Sequence, residues 1–496
     1  MSKYILGIDQ STQGTKAIIF NEQGKIIARD DLSHKQIINE LGWVEHDPLE
    51  IKENVVKVVK NVVNKAEIDK DSIIGVGISN QRETALMWDK KTGKPLYNAI
   101  VWQCSRGKKI CERIESLGLQ NEIKEKTGLH LSPYFSAAKL AWLIENVEGI
   151  KEKVNKNEVC CGNIDSWLIY NLTDEKIFKT DYSNASRTQL FNINTLSWDD
   201  DICKIFGLHT FNLPKVCNSN SIYGYTDFNG FLDKKIPINA VMGDSHAALY
   251  GQFCHNKGDI KSTYGTGSSI MMNIGEQPIY SKSGLVTSIA WGINNKVEYV
   301  LEGNINYTGA VITWLKDNLQ LINNPKETAI LAENANPKDK SYLVPAFTGL
   351  GAPYWNSEVN AIITGMTRVT GKNEIVRAGL DSIAYQIADI VNLMKSESGL
   401  QIKSLKVDGG PTKNNYLMQF QSDILNIKVE VSSVEELSAC GVAYMAGIAL
   451  GLYDLKLLNN TIKYQNYVSK LNENEISELY KGWKNAVKQT LYNVKI

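Results

Sequence analysis

The chain lacks the features that define several large protein classes. Its 496 residues contain no apolar run near the ~18 residues of a membrane span, so no spanning helix is expected. The start, MSKYILGIDQ, has no charged–apolar–small leader pattern. Net charge is missing too. The 54 Lys+Arg balance the 54 Asp+Glu, which leaves no general attraction to nucleic acid or an anionic membrane. The eight cysteines form no CxxC pair, and the six histidines carry no ligand spacing beside them, so a zinc site is not expected. They read as free thiols of a cytoplasmic protein. There is no Pro- or Ser-rich linker, no low-complexity tract and no GxxxxGK[ST] loop.

What is present is a composition with 43% hydrophobic and 22% charged residues, ordinary for a folded protein. At roughly 100–200 residues per domain, the length predicts two to four domains. The spacing predicts strands over 4–9, 17–20 and 25–29, joined by short turns into an antiparallel meander. A helix follows, with Asp47 as its cap, Pro48 in its first turn and Val55, Val56, Val59, Val62 and Val63 on one face. Residues 73–79 read as a buried strand, and the alternation of strands and helices predicts an α/β fold.

The pattern restarts near residue 258. Strands are expected over 260–264 and 270–274, and the meander continues over 285–289 and 297–301. Two hairpins with small, hydroxyl-rich tips thus lie half a chain apart, at 10–16 and 265–269. They predict two related domains, breaking near 245–256 and packed around a cleft, where ligand sites concentrate. Gly in such a turn lets backbone N–H groups approach a phosphate, and Ser or Thr adds hydroxyl donors. Asp9, ending the first strand, offers a hard oxygen ligand to a divalent cation. Either turn alone reads equally as an ordinary hairpin turn. A third Gly pair, at 409–410, joins a strand at 405–407 to a helix over 414–425, which suits a phosphate, a planar ring or a tight turn. The small residues Ala439, Gly441, Ala443, Ala446 and Gly447 read as close helix packing.

With these residues in view, the chain resembles the FGGY family of carbohydrate kinases, and within it the branch acting on glycerol. The resemblance runs through GIDQSTQGTK (7–16), ISNQRET (78–84), AIVWQCSR (99–106), PYFSAAKLAWLIEN (133–146), GNIDSWLIYNLT (162–173), TDYSNASRTQLFNI (180–193), GDSHAALYGQ (243–252), STYGTGSS (262–269), VPAFTGLGAPYW (344–355) and DGGPTKNNYLMQFQSDIL (408–425). It implies two actin-like, ribonuclease-H-like domains flanking a catalytic cleft. Residues 1–250 would bind the polyol and 251–496 the ATP. It implies that Asp244 is the catalytic base and that Asp9 and Asp244 hold Mg²⁺, in part through water. Arg82, Glu83, Trp102 and Tyr134 would hold the acceptor. Thr12, Gln13, Gly14 and Lys16 would approach the phosphates from one side, and Thr266 and Gly267 from the other. Gly309, Thr313, Gly410, Pro411 and Asn414 would line the nucleotide pocket. A homodimer or homotetramer is implied as well.

The chain departs from that branch at the acceptor. Ser245 stands where Gln is usual, followed by His246, and Ser269 stands where Phe is usual. Both changes shorten a side chain and leave a roomier, more polar pocket. Glycerol is the leading single acceptor; a longer polyol or ketose, such as erythritol, threitol, a pentitol or a ketopentose, is the alternative. His246 is expected behind the site rather than as the base, and His255 on the surface. Lys16 replaces an Arg, keeping the charge without the planar fork. Residues 221–242 contain no His, so activation by phosphorylation of a histidine there is not expected.

Overall fold

The computed structural model describes residues 2–460 and 462–492. Two large mixed sheets organise them. In the first sheet, β1 (Tyr4–Gln10), β2 (Gly14–Phe20) and β3 (Ile26–Ser33) form the antiparallel meander. β4 (Ile73–Asn80) lies parallel to β1. β5 (Gly224–Thr226) and β6 (Ile236–Gly243) complete the order β5-β6-β4-β1-β2-β3, with β6 parallel to β4. The hydroxyl-rich turn is shorter than its sequence implied, because Gly14–Lys16 already belong to β2, where Thr15 and Lys16 pair with Gln10 and Asp9 of β1 and Gly14 with Ser33 of β3.

The second sheet repeats this plan. β7 (Ile260–Tyr264) and β8 (Ser268–Gly275) are an antiparallel hairpin. β9 (Val286–Ile293) and β10 (Lys296–Ile305) follow. The chain does not run on as a simple meander here, as the sequence pattern predicted. It crosses to the edge for β9, and β10 returns to pair with β8. β11 (Ser404–Asp408) and β12 (Lys428–Ser432) add parallel strands beside β7, and β13 (Tyr464–Tyr467) closes the far edge. A five-stranded sheet that includes Ala85–Asp89 and Val159–Asn163 flanks the first large sheet.

Helix α1 (Pro48–Ala66) starts where expected: the Asp47 carboxylate accepts from the Leu49 N–H. Its five named valines are buried against the first sheet. At ~1.5–3 kcal/mol for each fully buried side chain, that face fixes the helix far more than its caps do.

Helix α2 (Asp244–Gly251) leaves β6. Late in the chain, α3 (Leu437–Ala449) returns to pack on α2 and on β1 and β4. Its small residues make this possible. A Cβ on Gly441 would sit 1.9 Å from the Ala247 carbonyl oxygen, and one on Gly77 of β4 would sit 2.4 Å from that of Val442. The resulting core joins residues of both sheets, among them Ile5, Met242, Met271 and Val300. All eight cysteines are free, and seven are buried. Among the described residues, no helix is long and apolar enough to cross a membrane.

Candidate active site

Three parallel strands of the first sheet end side by side, and each delivers functional groups at its carboxyl end, where ligands of open α/β sheets bind. β1 ends in Asp9 and Gln10, and the hydroxyl-rich turn follows. β4 ends in Asn80 and leads into Arg82 and Glu83. β6 ends in Gly243, just before Asp244. The register pairs Asp9 with Ser79 and Gly243 with Asn80, so Arg82 and Asp244 leave neighbouring strands.

A cleft of about 510 Å³ lies over these ends. On the first-sheet side it is lined by Thr12, Gln13, Arg82, Glu83, Trp102, Tyr134, Asp244 and Ser245. Facing them across the cleft are Thr266, Gly267, Ser269, Asn304 and Asn306 from the second sheet. The two hydroxyl-rich turns therefore do face each other. Asp9, Gly14 and Lys16 do not reach the cleft wall. Asp9 is buried below it, accepting from the Ser79 hydroxyl at 2.6 Å. Burial pushes its carboxyl up to about 6, against the lowering by Ser79 and the Lys16 charge. Lys16 is engaged elsewhere, 2.7 Å from Glu436.

The acceptor side of the cleft is a chain of charges. Arg82 places Nε 3.1 Å from Asp244 and both terminal nitrogens on Glu302, at 2.9 and 3.1 Å. Glu302 also pairs with Arg187 at 3.0 Å, and Arg187 Nε donates to Glu83 at 2.5 Å. Arg82, Glu83, Arg187 and Glu302 are all buried. Burial raises the Glu302 carboxyl, but the charges of Arg187 and Arg82 outweigh it and hold the group well below the usual carboxylate range. Asp244 differs from them in keeping its carboxylate open to the cleft, with its side chain 33% accessible. Glu83 adopts φ +59°, a left-handed conformation that is costly for a non-glycine residue and is maintained here by the Arg187 pair.

The aromatic wall is fixed as firmly. Trp102 Nε1 donates to the Thr12 hydroxyl at 2.9 Å, and its ring meets that of Tyr134 edge-on at 5.5 Å. Lys139, fully buried, donates to the carbonyls of Pro133, Tyr134 and Phe135, which locks the backbone that presents Tyr134.

His246 lies behind the site, as its position implied. It is buried, with Nε2 3.3 Å from the Ser288 hydroxyl, and burial together with the Arg82 charge keeps the ring neutral. His255 is not the surface residue expected. It is half-buried among Tyr250, Phe253 and Trp291, and Nε2 meets the Tyr250 carbonyl at 2.9 Å. Apolar ring contacts explain the difference.

A second cavity, of about 500 Å³, opens beyond the Gly265–Gly267 turn. It brings together Gly309, Thr313, Gly410, Pro411 and Asn414 with the apolar Ile312, Leu380 and Leu417. The turn links it to the cleft. The Gly265 and Thr266 carbonyls accept from the Gly309 and Ala310 N–H groups, at 3.0 and 3.1 Å, and so cap the helix Gly309–Asp317. The expected direct strand-to-helix junction holds an extra 3₁₀ turn, Gly410–Lys413, before the helix Asn415–Leu425. Gly409 needs its φ of +102°, and a Cβ there would sit 2.0 Å from the Tyr264 carbonyl oxygen. Asn414 caps the helix through its side-chain oxygen and donates to Thr328 at 2.9 Å.

Glu302, Arg187 and Lys139 were not singled out from sequence. Their signal was there: each is a charged residue inside an otherwise apolar or small-residue stretch. What sequence lacks is the pairing, since Arg82 and Glu302 are 220 residues apart.

Residues 4–251 match the N-terminal domain of the FGGY family of carbohydrate kinases, and residues 260–450 match its C-terminal domain. The chain belongs to that family. It is 50% identical over 490 residues to glycerol kinase 1 of Thermotoga maritima, covering 98% of this chain and 99% of that protein. It is 47% identical over 493 residues to the glycerol kinase of Caldanaerobacter subterraneus, covering 99% of each. The crystal structure of Plasmodium falciparum glycerol kinase with ADP superposes with a TM-score of 0.93 at 39% identity, covering 99% of this chain and 98% of that one. Gluconate kinase from Lactobacillus acidophilus, at 22% identity and a TM-score of 0.89, shares the fold. The architecture is thus the two-domain, actin-like one, and the chain is a phosphotransferase with an alcohol group as acceptor.

Proposed function

We propose that the protein transfers the γ-phosphoryl group of ATP to glycerol, giving glycerol 3-phosphate. The observation that carries this reading is the opposition of Asp244 and the Arg82–Glu83–Trp102–Tyr134 wall to the Thr266–Gly267 turn across one cleft, in a chain 50% identical to a protein named glycerol kinase.

In this reading Asp244 accepts the proton of the acceptor hydroxyl as its oxygen attacks phosphorus. Arg82 donates to acceptor oxygens and Glu83 accepts from acceptor hydroxyls, while Trp102 covers the apolar C–H face. Ser245 adds a hydroxyl to the same wall, and Ser269 adds one from the facing side. Thr12 and Gln13, backed by Gly14 and the Lys16 charge, grip the phosphates from one side, and Thr266 and Gly267 from the other. The 500 Å³ cavity with Gly309, Thr313, Gly410, Pro411 and Asn414 receives the nucleoside. Charge stabilisation and positioning then supply most of the rate, as is general for phosphoryl transfer.

Mg²⁺ enters with the nucleotide as MgATP. Among the described residues, no group of three or more His, Cys, Asp or Glu could hold a metal by itself. Asp9 and Asp244 supply the hard oxygen donors that suit a Mg²⁺ ligated mostly by phosphate and water. Bound there, the ion would neutralise phosphate charge. We also assign 1–250 to the acceptor domain and 251–496 to the nucleotide domain, and expect a cytoplasmic homodimer or homotetramer.

The test is direct. Purified protein with MgATP and glycerol should release ADP and form glycerol phosphate, identified by mass spectrometry. ADP release that is independent of any polyol would contradict the reading.

A further inference from the structure

His46 is a fully buried polar side chain that does not line the cleft. It ends the short strand Val44–His46, and its Nδ1 lies 3.3 Å from the side-chain nitrogen of Gln81. We propose that His46 is a positioning residue for both substrates: as a neutral hydrogen-bond acceptor it orients the Gln81 amide, and that amide holds the phosphate turn and the acceptor wall in register. The inference rests on the kinase reading above and concerns how its two half-sites are kept together.

Gln81 stands between Asn80, the last residue of β4, and Arg82, and is itself buried. Its Nε2 donates to Gln10 Oε1 at 3.0 Å and reaches the Ser11 carbonyl at 3.3 Å. Its Oε1 accepts from the Thr84 hydroxyl at 2.7 Å. Thr84 Oγ1 in turn accepts from the Trp102 backbone N–H at 3.2 Å, and Trp102 Nε1 donates to the Thr12 hydroxyl. These bonds close a ring: Gln81 to Ser11, along the chain to Thr12, across to Trp102, and back through Thr84. One amide therefore ties the turn that grips the phosphates to the indole that covers the acceptor.

The ring works with the amide in one orientation. Turned over, Gln81 would set its oxygen against the Ser11 carbonyl, two acceptors with no proton between them. Its nitrogen must face Ser11, and so it faces His46 Nδ1 as well. An amide nitrogen only donates, so Nδ1 accepts and the ring proton sits on Nε2. Burial keeps the imidazole in this unprotonated form at neutral pH.

Of the three acceptors around Gln81 Nε2, His46 is the one outside β1 and its turn. It anchors the amide to the flanking five-stranded sheet. The same strand carries the Trp102 segment by its backbone: His46 is in register with Ala99, and the Val101 N–H donates to the Val44 carbonyl at 3.1 Å. The His34 ring packs edge-on against His46, 4.4 Å between centroids, and the His34 N–H reaches the Gln13 carbonyl at 3.4 Å. His46 is thus braced from the sheet that presents Trp102 and from the residue that touches the phosphate turn.

The experiment compares variants of the full chain with wild type, reading KM and kcat for glycerol and for MgATP by ADP release, and Tm by scanning calorimetry. His46→Phe fills the space but removes the acceptor. It should raise both KM values together, each by about fivefold or more, the scale of one lost buried hydrogen bond. His46→Asn leaves a cavity but returns an oxygen near the place of Nδ1. Both KM values should then stay within about twofold of wild type although the cavity lowers Tm. Gln81→Met should raise both KM values as well, and His46→Phe added to it should do little more, because His46 acts through Gln81. If the phenylalanine variant does not fold, Gln81→Met and His46→Asn carry the test. Unchanged KM values in His46→Phe or Gln81→Met would overturn the inference and leave the kinase reading intact. So would KM values that follow Tm, with asparagine the worse variant, or full additivity of the two substitutions. No glycerol-dependent ADP release by the wild-type chain would defeat both.

Discussion

Glu302→Gln probes the charge chain with almost no change in volume. Glu302 is 1% exposed and is pinned by three short contacts, 2.9 and 3.1 Å from Arg82 and 3.0 Å from Arg187. The wild-type chain sets two buried cations against two buried anions. Glutamine leaves one cation uncompensated. Removing one member of a buried ion pair costs about 3–5 kcal/mol. Glutamine retains one acceptor oxygen, so the lower end, about 3 kcal/mol, is expected. At roughly 2–4 °C per kcal/mol for domains of about 150–250 residues, Tm should fall by about 6–12 °C. Activity should change in a characteristic way. Arg82 loses its charged bidentate partner, so the guanidinium that also meets Asp244 is held less firmly beside the base. General-base catalysis contributes ~10²–10⁴-fold, so a loss of about tenfold in kcat is expected. Scanning calorimetry and an ADP-coupled assay read both effects. A variant with wild-type Tm and kcat would refute this account.

Single residues yield three more tests. Burial holds the His46 imidazole down at about 3, below its ordinary 6.5. The unfolded chain therefore binds a proton across that window that the folded chain does not, and stability falls as pH drops below 6.5, by at most about 1.4 kcal/mol per unit. His46→Gln should flatten this slope in urea midpoints taken at pH 7 and pH 5; equal slopes for both proteins would contradict it. Lys139→Met removes the donor to three successive carbonyls and should raise the acceptor KM about tenfold while leaving the Kd for ADP unchanged; an unchanged KM would show that Tyr134 is held by other contacts. Gly441→Ala drives a Cβ to within 1.9 Å of the Ala247 carbonyl oxygen, and soluble expression should collapse; a well-folded variant with native Tm would mean that the α2–α3 contact readily adjusts.

Local patterns made much of the fold legible. The hairpins at Asp9 and Gly265, the Asp47 cap and the valine face of α1 each follow from a few adjacent residues. The edge placement of β9 was not legible, because strand order depends on pairing rather than on strand identity. The return of α3 to the first sheet was readable only as small residues in want of a close neighbour. At the site, the motifs named most of the cleft. Glu302 and Arg187 escaped because the neighbours of a charged residue in sequence do not name its partner in space. Lys16 shows the converse: its charge was legible, but its pairing with Glu436, 420 residues away, was not.

The most direct test of the central claim is Asp244→Asn, assayed with MgATP and the best acceptor alongside ADP binding by calorimetry. Asparagine preserves the shape of the side chain and removes the base. The account predicts that kcat falls by roughly 10²–10⁴-fold while the Kd for ADP stays within about threefold of wild type. A variant that retains wild-type kcat would show that Asp244 is not the base and that the cleft works by another arrangement.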